Sequence, residues 1–474
     1  MRLSELILGV DGQLYNMKDV EIRSLEFDSR KINRDALYIA VQGARYDGHN
    51  FIREVESKGA VAVVTQKKVD TTLPQIVVSD TRDVLRKLAK RFYGNFDKLI
   101  KIGVTGTNGK TTTAFLIHSI LTQARRNPGL IGTVYYLSKT TYKATRTTPE
   151  ALDILKLYNE FEMQGLDSVV MEVSSHALKL KRVEDIDFDV AVFTNLSQDH
   201  LDFHDTMDDY RASKLHIFSL LKQNGHAVYN NDDEIGAFIK ALPLVNKISF
   251  GTKTGSDIQA RIVEQTLDGL RLMVRLDGNE HEVRSALIGE FNLYNILAAF
   301  AAGIALDIDT KNIVGGIEKL KTVRGRMERV VSNIFVDFAH TPAAIENVLR
   351  SLRKYAVGRL IIVFGCGGDR DKDKRPKMGA IASKLADMVV ITSDNPRTEV
   401  PTQIIDDIKR GIIGNNYKIV EDRVDAIRYA ISSRDDSDIV VIAGKGHEEY
   451  QIVGDREIEF DDAEVVRKCS ENSC

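Results

Sequence analysis

The sequence predicts an α/β protein of several domains, built on mostly parallel sheets. Three observations carry that expectation. Short apolar runs alternate with helix-spaced segments along the chain. One of these runs, residues 99–104, leads into a glycine-rich loop and then a helix-like stretch over 112–123. The alternation restarts after Thr322-Val323-Arg324-Gly325-Arg326. A chain of 474 residues exceeds what one core normally supports, so about two to four domains are expected.

The elements follow in order. Residues 36–40, 60–64 and 75–78 are short apolar strands, and 84–92 has helical spacing. Tyr93-Gly94-Asn95-Phe96-Asp97 has the composition of a hinge, which closes a first domain at 1–98. Strands are expected at 100–104, 168–173, 190–194 and 226–230, with helical segments between them. Residues 258–274 suggest an antiparallel hairpin insertion, and 292–306 an alanine-rich helix, within a second domain at 99–324. In the third domain, 325–474, strands are expected at 334–337, 360–364, 388–392 and 438–443. Each is followed by Gly, Asn, Asp or His. In a parallel sheet, ligands bind beyond the C-terminal strand ends, where these polar residues fall. The last thirty or so residues are charged and are expected to be peripheral.

Composition narrows the function. The 65 basic and 68 acidic residues leave a formal charge of -3, which gives no reason to expect nucleic acid or an anionic membrane as partner. Cys366, Cys469 and Cys474 are too few and scattered for a disulfide framework or a structural zinc site. A reducing, cytoplasmic setting is expected. Residues 1–10 lack a basic start followed by a long apolar core, so no secretory segment is expected. No apolar run approaches roughly 18 residues, so no spanning helix is expected either.

The most specific motif is Gly103-Val104-Thr105-Gly106-Thr107-Asn108-Gly109-Lys110-Thr111-Thr112. In the order strand, loop, helix, its amides and helix N-terminus can cradle phosphate, Lys110 can offset phosphate charge, and Thr111 can reach Mg²⁺. Glu172 ends the next strand, before Val173-Ser174-Ser175-His176, where a carboxylate can hold Mg²⁺ directly or through water. The cluster from Asn195 to His204, with Asp199, His200 and Asp202, follows another strand end. Its histidines lack the spacing of a zinc protease. Lys214, in Tyr210-Arg211-Ala212-Ser213-Lys214, reads from pattern alone as a solvent lysine on a helix.

The third domain collects further strand-end loops. Gly365-Cys366-Gly367-Gly368-Asp369-Arg370 precedes Lys372, Lys374, Arg375 and Lys377, a charge run that either faces solvent or meets an anionic substrate. Asp337 ends a strand before Ala339-His340-Thr341-Pro342, where Thr341 can cap a helix with Pro342 at its first position. Asp394-Asn395-Pro396-Arg397 is either an Asx turn or a carboxylate-binding loop, since arginine suits bidentate carboxylate recognition. Gly444-Lys445-Gly446-His447-Glu448 closes the set.

In order and spacing, these motifs resemble the Mur ligases of bacterial peptidoglycan synthesis, over nearly the whole chain. The resemblance implies a small α/β domain for the uridine nucleotide, a central phosphate-loop ATPase domain and a C-terminal Rossmann-like domain. It implies that Gly106, Thr107, Asn108, Gly109, Lys110, Thr111 and Thr112 hold ATP, with Asn292 and Asn295 on the adenine side and Arg326 and Asp337 as further nucleotide contacts. Thr111 and Glu172 would serve Mg²⁺, His200 a second metal position, and Lys214 a carbamate formed with CO₂. Catalysis would rest on Lys110, Glu172, His200 and Lys214. Ser29 and Arg30, with the loop Gln42-Gly43-Ala44-Arg45 and Asp47-Gly48, match the uridine-nucleotide region. Thr147, Thr148, Ser174, Ser175 and Arg182 match the surroundings of the muramoyl peptide. Leu180 stands where many members carry glutamine, and Phe338 where the family has tyrosine.

The resemblance also bears on the acceptor. Arg370, Asp394, Asn395, Arg397, Gly444 and Glu448 match the version that adds meso-2,6-diaminopimelate. That acceptor carries a second amino-acid head: Arg397 would meet its carboxylate and Glu448 its ammonium. Lysine has only an ammonium there, which Arg397 would repel. The implied substrates are ATP, UDP-MurNAc-L-Ala-D-Glu and diaminopimelate, used by a monomer whose domains close through hinges near Phe96 and Arg324. Three rivals are the same ligation with L-lysine, a folylpolyglutamate-type synthetase, and a nucleotide switch that forms no amide.

Overall fold

The computed structural model describes residues 1–43, 46–201 and 203–471. The Ala44-Arg45 part of the nucleotide-region loop, Asp202 and Cys474 lie outside the described residues. The chain divides into two compact units, one of residues 1–103, 127–189 and 212–225, the other of 104–126, 190–211 and 226–474.

The first unit holds a five-stranded sheet in the order Gln13–Tyr15, Gln75–Val77, Ala60–Thr65, Ala36–Ile39, Ser24–Glu26. The first pair is antiparallel and the rest parallel. Alternate residues of the inner strands, with Ile52 and Val55 of the helix Ile52–Ser57, form its core. The helix Thr81–Tyr93 begins at Asp80, whose carboxylate accepts the Arg82 and Asp83 N–H groups. Its apolar face packs on the helix Ala151–Met163. The expected hinge has Gly94 at φ 97° and Phe96 at φ 52°, with the Phe96 ring buried edge-on against Tyr158 at 5.9 Å. The same unit contains a strand run Ser168–Glu172, Pro128–Ile131, Tyr135–Leu137, Thr141–Lys143, of which only the first was expected.

In the second unit the helix Lys110–Gln123 packs on Phe291–Ala305 and Thr310–Lys319. The expected hairpin is present, but it gains a third strand. Ile258–Thr266, Gly269–Leu276 and Asn279–Ser285 pair antiparallel, and the first also pairs parallel with Asn246–Gly251. That last strand is polar at its start (Asn-Lys) and lacked a sequence signal.

A six-stranded sheet follows, ordered Glu328–Val331, Ile334–Asp337, Ile439–Ala443, Leu360–Phe364, Met388–Ile391, Tyr417–Ile419. All pairs but the first are parallel. Phe335, Ile362, Val389 and Val441 enter one apolar cluster, and Val336, Ile361, Val390 and Val440 the other. Both faces are therefore buried, which is why these strands read as unbroken apolar runs.

The tail is not peripheral. Tyr450–Val453 and Arg456–Glu459 form a hairpin, and the helix Asp462–Glu471 buries Ala463, Val466 and Cys469. Its first residue, Asp462, pairs with Arg423 at 2.8 Å, both fully buried. An amphipathic helix shows many charges in sequence, and the charge count hid its buried stripe.

Candidate active site

The phosphate loop lies in the second unit, and the strand ending at Phe193 supports it. Gly106 has φ 140°, and a Cβ there would come 1.9 Å from Thr194 Oγ1. Gly109 has φ 85°, and a Cβ there would come 2.2 Å from Asn295 Oδ1. Only glycine meets both demands, the positive φ and the close approach. The Asn108 N–H donates to Asn195 Oδ1 at 2.9 Å, and Thr194 Oγ1 donates to the Asn108 carbonyl at 2.6 Å. Thr107 Oγ1 donates to the Ser197 carbonyl at 3.1 Å and lies 3.1 Å from the Tyr210 hydroxyl. Lys110 Nζ folds back onto the Gly106 and Thr107 carbonyls at 2.9 and 2.8 Å. Gly109 caps the helix that begins at Lys110, so the N–H groups of its first turn, Thr111 and Thr112 included, point toward the loop. Thr194, Ser197 and Tyr210 are supports the sequence reading did not assign.

Asn292 and Asn295 are buried and bonded to each other at 2.8 Å, and Asn292 Nδ2 also donates to the Ile288 carbonyl. Arg326 Nη2 donates to Thr111 Oγ1 at 3.2 Å, and its guanidinium lies over the Phe338 ring at 4.6 Å. Asp337 accepts the Met327 and Ala339 N–H groups at 2.7 and 2.8 Å, and burial holds its carboxyl above the usual range. Burial, with Lys374 nearby, pushes the His340 imidazole down. Thr341 does cap its helix, accepting the Ala344 N–H at 3.3 Å. His200 sits at φ 54° with its N–H on Asp199 Oδ1 at 2.8 Å. Burial raises the Asp199 carboxyl, but His200, His340 and Lys110 outweigh it and leave it below the ordinary value.

A second cluster of the same unit gathers the other strand-end loops. Lys445 is fully buried, and its Nζ donates to Asn395 Oδ1 at 2.9 Å and Glu448 Oε2 at 3.2 Å. Asn395 Nδ2 donates to the same Glu448 oxygen at 2.8 Å. Burial raises the Glu448 carboxyl, while Lys445 opposes the rise. Burial also raises Asp394, but Lys445 and Arg423 carry it below the ordinary value. Gly444 sits at φ 116° beside Asp394. Arg397, at φ 53°, donates from Nη1 to the Gly368 carbonyl at 2.7 Å. Burial and the neighbouring Arg370 guanidinium both depress its pKa, a position an anion would relieve. Of the charge run, Arg375 has no exposed surface and pairs with Glu399 and Asp407, so it does not face solvent.

The first unit holds the remaining residues. Glu172 is fully buried: Oε1 accepts the Thr133 N–H at 2.7 Å and Oε2 the Thr133 hydroxyl at 2.9 Å. Thr133 Oγ1 lies 3.1 Å from Thr147 Oγ1. Thr148 Oγ1 donates to the Glu172 carbonyl at 2.8 Å and accepts the Ser174 N–H at 3.0 Å. Ser174 in turn caps the short helix that starts at Ser175. Arg182 pairs with Glu150 at 2.9 Å and reaches the Thr148 carbonyl at 3.1 Å, and burial depresses its pKa. Lys214 is only 1% exposed, which corrects the solvent reading: its helix face turns inward. Arg30 is exposed and pairs with Asp28, holding that carboxyl down at about 2. The Gln42 carbonyl accepts from Arg82 at 3.2 Å, and the Gly43 N–H donates to the Tyr46 carbonyl at 2.8 Å.

Among the described residues, no three His, Cys, Asp or Glu side chains gather into a metal cage. The Glu172 carboxylate in the first unit and the Thr111 hydroxyl in the second are each hard oxygen donors of the type that suits magnesium. Among the described residues no helix is long and apolar enough to cross a membrane.

Comparison with known proteins gives the family. The Mur ligase family catalytic-domain model matches residues 21–93, the Mur ligase middle-domain model 104–303, and the Mur ligase glutamate-ligase-domain model 325–446. The UDP-N-acetylmuramoyl-L-alanyl-D-glutamate--2,6-diaminopimelate ligase of Bacillus velezensis is 40% identical over 480 residues, covering 98% of each chain. Its counterpart in Clostridium tetani is 42% identical over 485 residues, covering 99% of each. A solved structure of a ligase of that name superposes with a TM-score of 0.67 at 31% identity, covering 100% of this chain and 99% of the other. The chain belongs to the Mur ligase family, and its fold is the three-domain α/β architecture of that family.

Proposed function

We propose that this protein is an ATP-dependent amide ligase that joins meso-2,6-diaminopimelate to the D-glutamyl γ-carboxylate of UDP-MurNAc-L-Ala-D-Glu. The observation that carries the reading is the acceptor cluster. Arg397, a half-buried cation whose pKa is depressed by burial and by Arg370, stands in the same Asp-Asn-Pro-Arg loop whose Asn395 binds Glu448. That supplies a cation for a second carboxylate and an anion for a second ammonium. It suits the diamino diacid and penalises lysine, the runner-up acceptor. The relatives named diaminopimelate ligases at 40% and 42% identity support the same acceptor.

In this reading residues 1–98 bind the uridine nucleotide, through Ser29, Arg30, Gln42 and Gly43. Residues 99–324 bind ATP and the muramoyl peptide, the latter through Thr147, Thr148, Ser174, Ser175 and Arg182. Residues 325–474 bind the acceptor and complete the nucleotide contacts through Arg326 and Asp337, with Asn292 and Asn295 beside the adenine. Arg370, Asp394, Asn395, Arg397, Gly444 and Glu448 receive the acceptor.

The γ-carboxylate oxygen attacks the γ-phosphorus of ATP, and the β–γ bridging oxygen leaves with ADP. Lys110 and the amides of the loop receive the charge on the transferring phosphoryl group. The acceptor amine then adds to the carbonyl carbon of the acyl phosphate. The tetrahedral adduct expels inorganic phosphate and leaves the amide. Thr111 and Glu172 would hold magnesium, which would supply Lewis-acid charge compensation. Lys214 would carry a carbamate formed with CO₂, and His200 would serve a second metal position. The burial of Glu172 and its orientation by Thr133 support such a role, since little rotamer freedom is left to lose.

Oxygen-18 in the γ-carboxylate tests the chemistry. One label should appear in the released phosphate per amide formed, and phosphate release should require both the uridine nucleotide and the acceptor. Unlabelled phosphate, or ATP turnover without acceptor, would refute the ligase reading in favour of a nucleotide switch.

A further inference from the structure

The loop that carries Arg397 is fastened from behind by residues that no motif of the chain assigns. Arg375 is fully buried on the helix Lys374–Leu385. Its Nη2 and Nη1 donate to Glu399 Oε1 and Oε2 at 2.8 and 2.9 Å, a two-pronged fork. Nη1 also donates to Asp407 Oδ2 at 2.9 Å, and Nη2 to the Gly367 carbonyl at 3.3 Å. Glu399 Oε1 further accepts the Asp369 N–H at 2.7 Å. Asp369 answers across the gap, its Oδ1 accepting Thr398 Oγ1 at 2.7 Å. The Gly368 N–H donates to the Asn395 carbonyl at 2.9 Å, and Arg397 Nη1 to the Gly368 carbonyl at 2.7 Å.

The glycine loop and the Arg397 turn are thus zipped into one body, and the Arg375–Glu399 fork is its fastener. Two features explain why a fastener is needed. Asp369 and Arg397 both hold left-handed backbone, at φ 54° and 53°, which persists only where the surroundings impose it. Arg397 and Arg370 also carry like charge at close quarters and push each other away.

We propose that Arg375 and Glu399 are specificity-positioning residues: together they fix where the Arg397 guanidinium stands, and so set the preference for an acceptor with a second carboxylate. This rests on the acceptor reading above. Neither residue touches substrate. Their effect passes through Arg397, and a displacement of about 1 Å in a positioned charge is enough to change rates or affinities by one to two orders of magnitude.

The test is Glu399→Gln in the full-length enzyme, with KM measured separately for the three substrates. The KM for diaminopimelate should rise about tenfold or more, and the ratio of kcat/KM for diaminopimelate over lysine should fall about tenfold. The KM values for ATP and the uridine nucleotide should stay within about twofold, which a general loss of structure would not allow. Glu399→Asp, which keeps the charge on a shorter arm, should recover part of the ratio. Arg375→Lys keeps the buried cation without the fork and should reproduce the Glu399→Gln pattern, so the result does not hang on one variant folding. An unchanged ratio, or a parallel rise in all three KM values, overturns the inference. A wild-type preference for diaminopimelate with an unshifted Glu399→Gln overturns this inference alone. A wild-type preference for lysine overturns the acceptor reading with it.

Discussion

At the scale of single residues, the site combines groups that the sequence advertised with groups it concealed. Lys110 opens a helix, Glu172 ends a strand and Arg397 lies in a loop after a strand, so each was legible in a motif whose chemistry is local. Lys214 was not. Nothing in Tyr210-Arg211-Ala212-Ser213-Lys214 distinguishes an inward lysine from a solvent one, and only the fold turns its side chain into the interior, at 1% exposure. Arg375 was hidden in the same way: beside Lys372, Lys374 and Lys377 it looked like one more surface cation, but its partners Glu399 and Asp407 stand 24 and 32 residues away. Glu448 carries a prediction at this scale. Burial raises its pKa above the ordinary 4.5, and Lys445 restrains the rise. The ionised form is the one that receives an ammonium. The KM for diaminopimelate should therefore rise as pH falls through a midpoint above 4.5. Lys445→Met removes the restraining cation and should move that midpoint further up. A pH profile of acceptor KM in the two proteins measures it, and identical midpoints would contradict the assignment of Lys445 as the charge that holds Glu448 ionised.

At the scale of elements, the buried parallel strands were the most readable. Ile334–Asp337 and Leu360–Phe364 occur where the apolar runs placed them, because both faces of the sheet are covered and every residue but the terminal Asp337 is apolar. Elements with one wet face or short length escaped: Thr141–Lys143 is wholly exposed, and Asn246–Gly251 is half polar. The terminal helix Asp462–Glu471 was misjudged for a related reason, since its charges outnumber its three apolar anchors Ala463, Val466 and Cys469. Its attachment is electrostatic as well as apolar. Arg423 pairs with Asp462 through Nε and Nη2, both at 2.8 Å, and Nη2 also donates to the Ala443 carbonyl at 3.0 Å, at the end of the strand before Gly444. Asp462→Ala would strand a fully buried guanidinium, and such losses cost about 3–5 kcal/mol. Urea unfolding should show that loss. Because the same arginine anchors the Gly444–Glu448 loop, acceptor KM should rise while the phosphate-loop contacts remain. A loss under about 1 kcal/mol would show that Arg423 finds another partner.

At the scale of the whole molecule, the chain carries three family matches in order along its length, and two sets of its strand-end loops differ in chemistry. One loop set suits phosphate, through glycines at positions 106 and 109 that no side chain could replace. The other brings the Arg397 cation near a network of Asn395, Lys445 and Glu448, the mixed charge that the proposed zwitterionic head would need. That division matches what an amide ligase must do, namely activate a carboxylate with ATP and select one amine. The class of reaction was legible in the phosphate loop and strand-end motifs. The rigidity of the acceptor loops was not, because it arises from contacts between segments about 30 residues apart, such as Asp369 with Thr398 and Glu399.

The central claim is acceptor choice, and competition tests it most directly. Equal concentrations of meso-diaminopimelate and L-lysine would be offered together with ATP, magnesium and UDP-MurNAc-L-Ala-D-Glu, and the two tripeptide products separated by mass. The diaminopimelate product is expected in large excess, with that excess collapsing in Arg397→Ala. A predominant lysine product in the wild-type enzyme would contradict it.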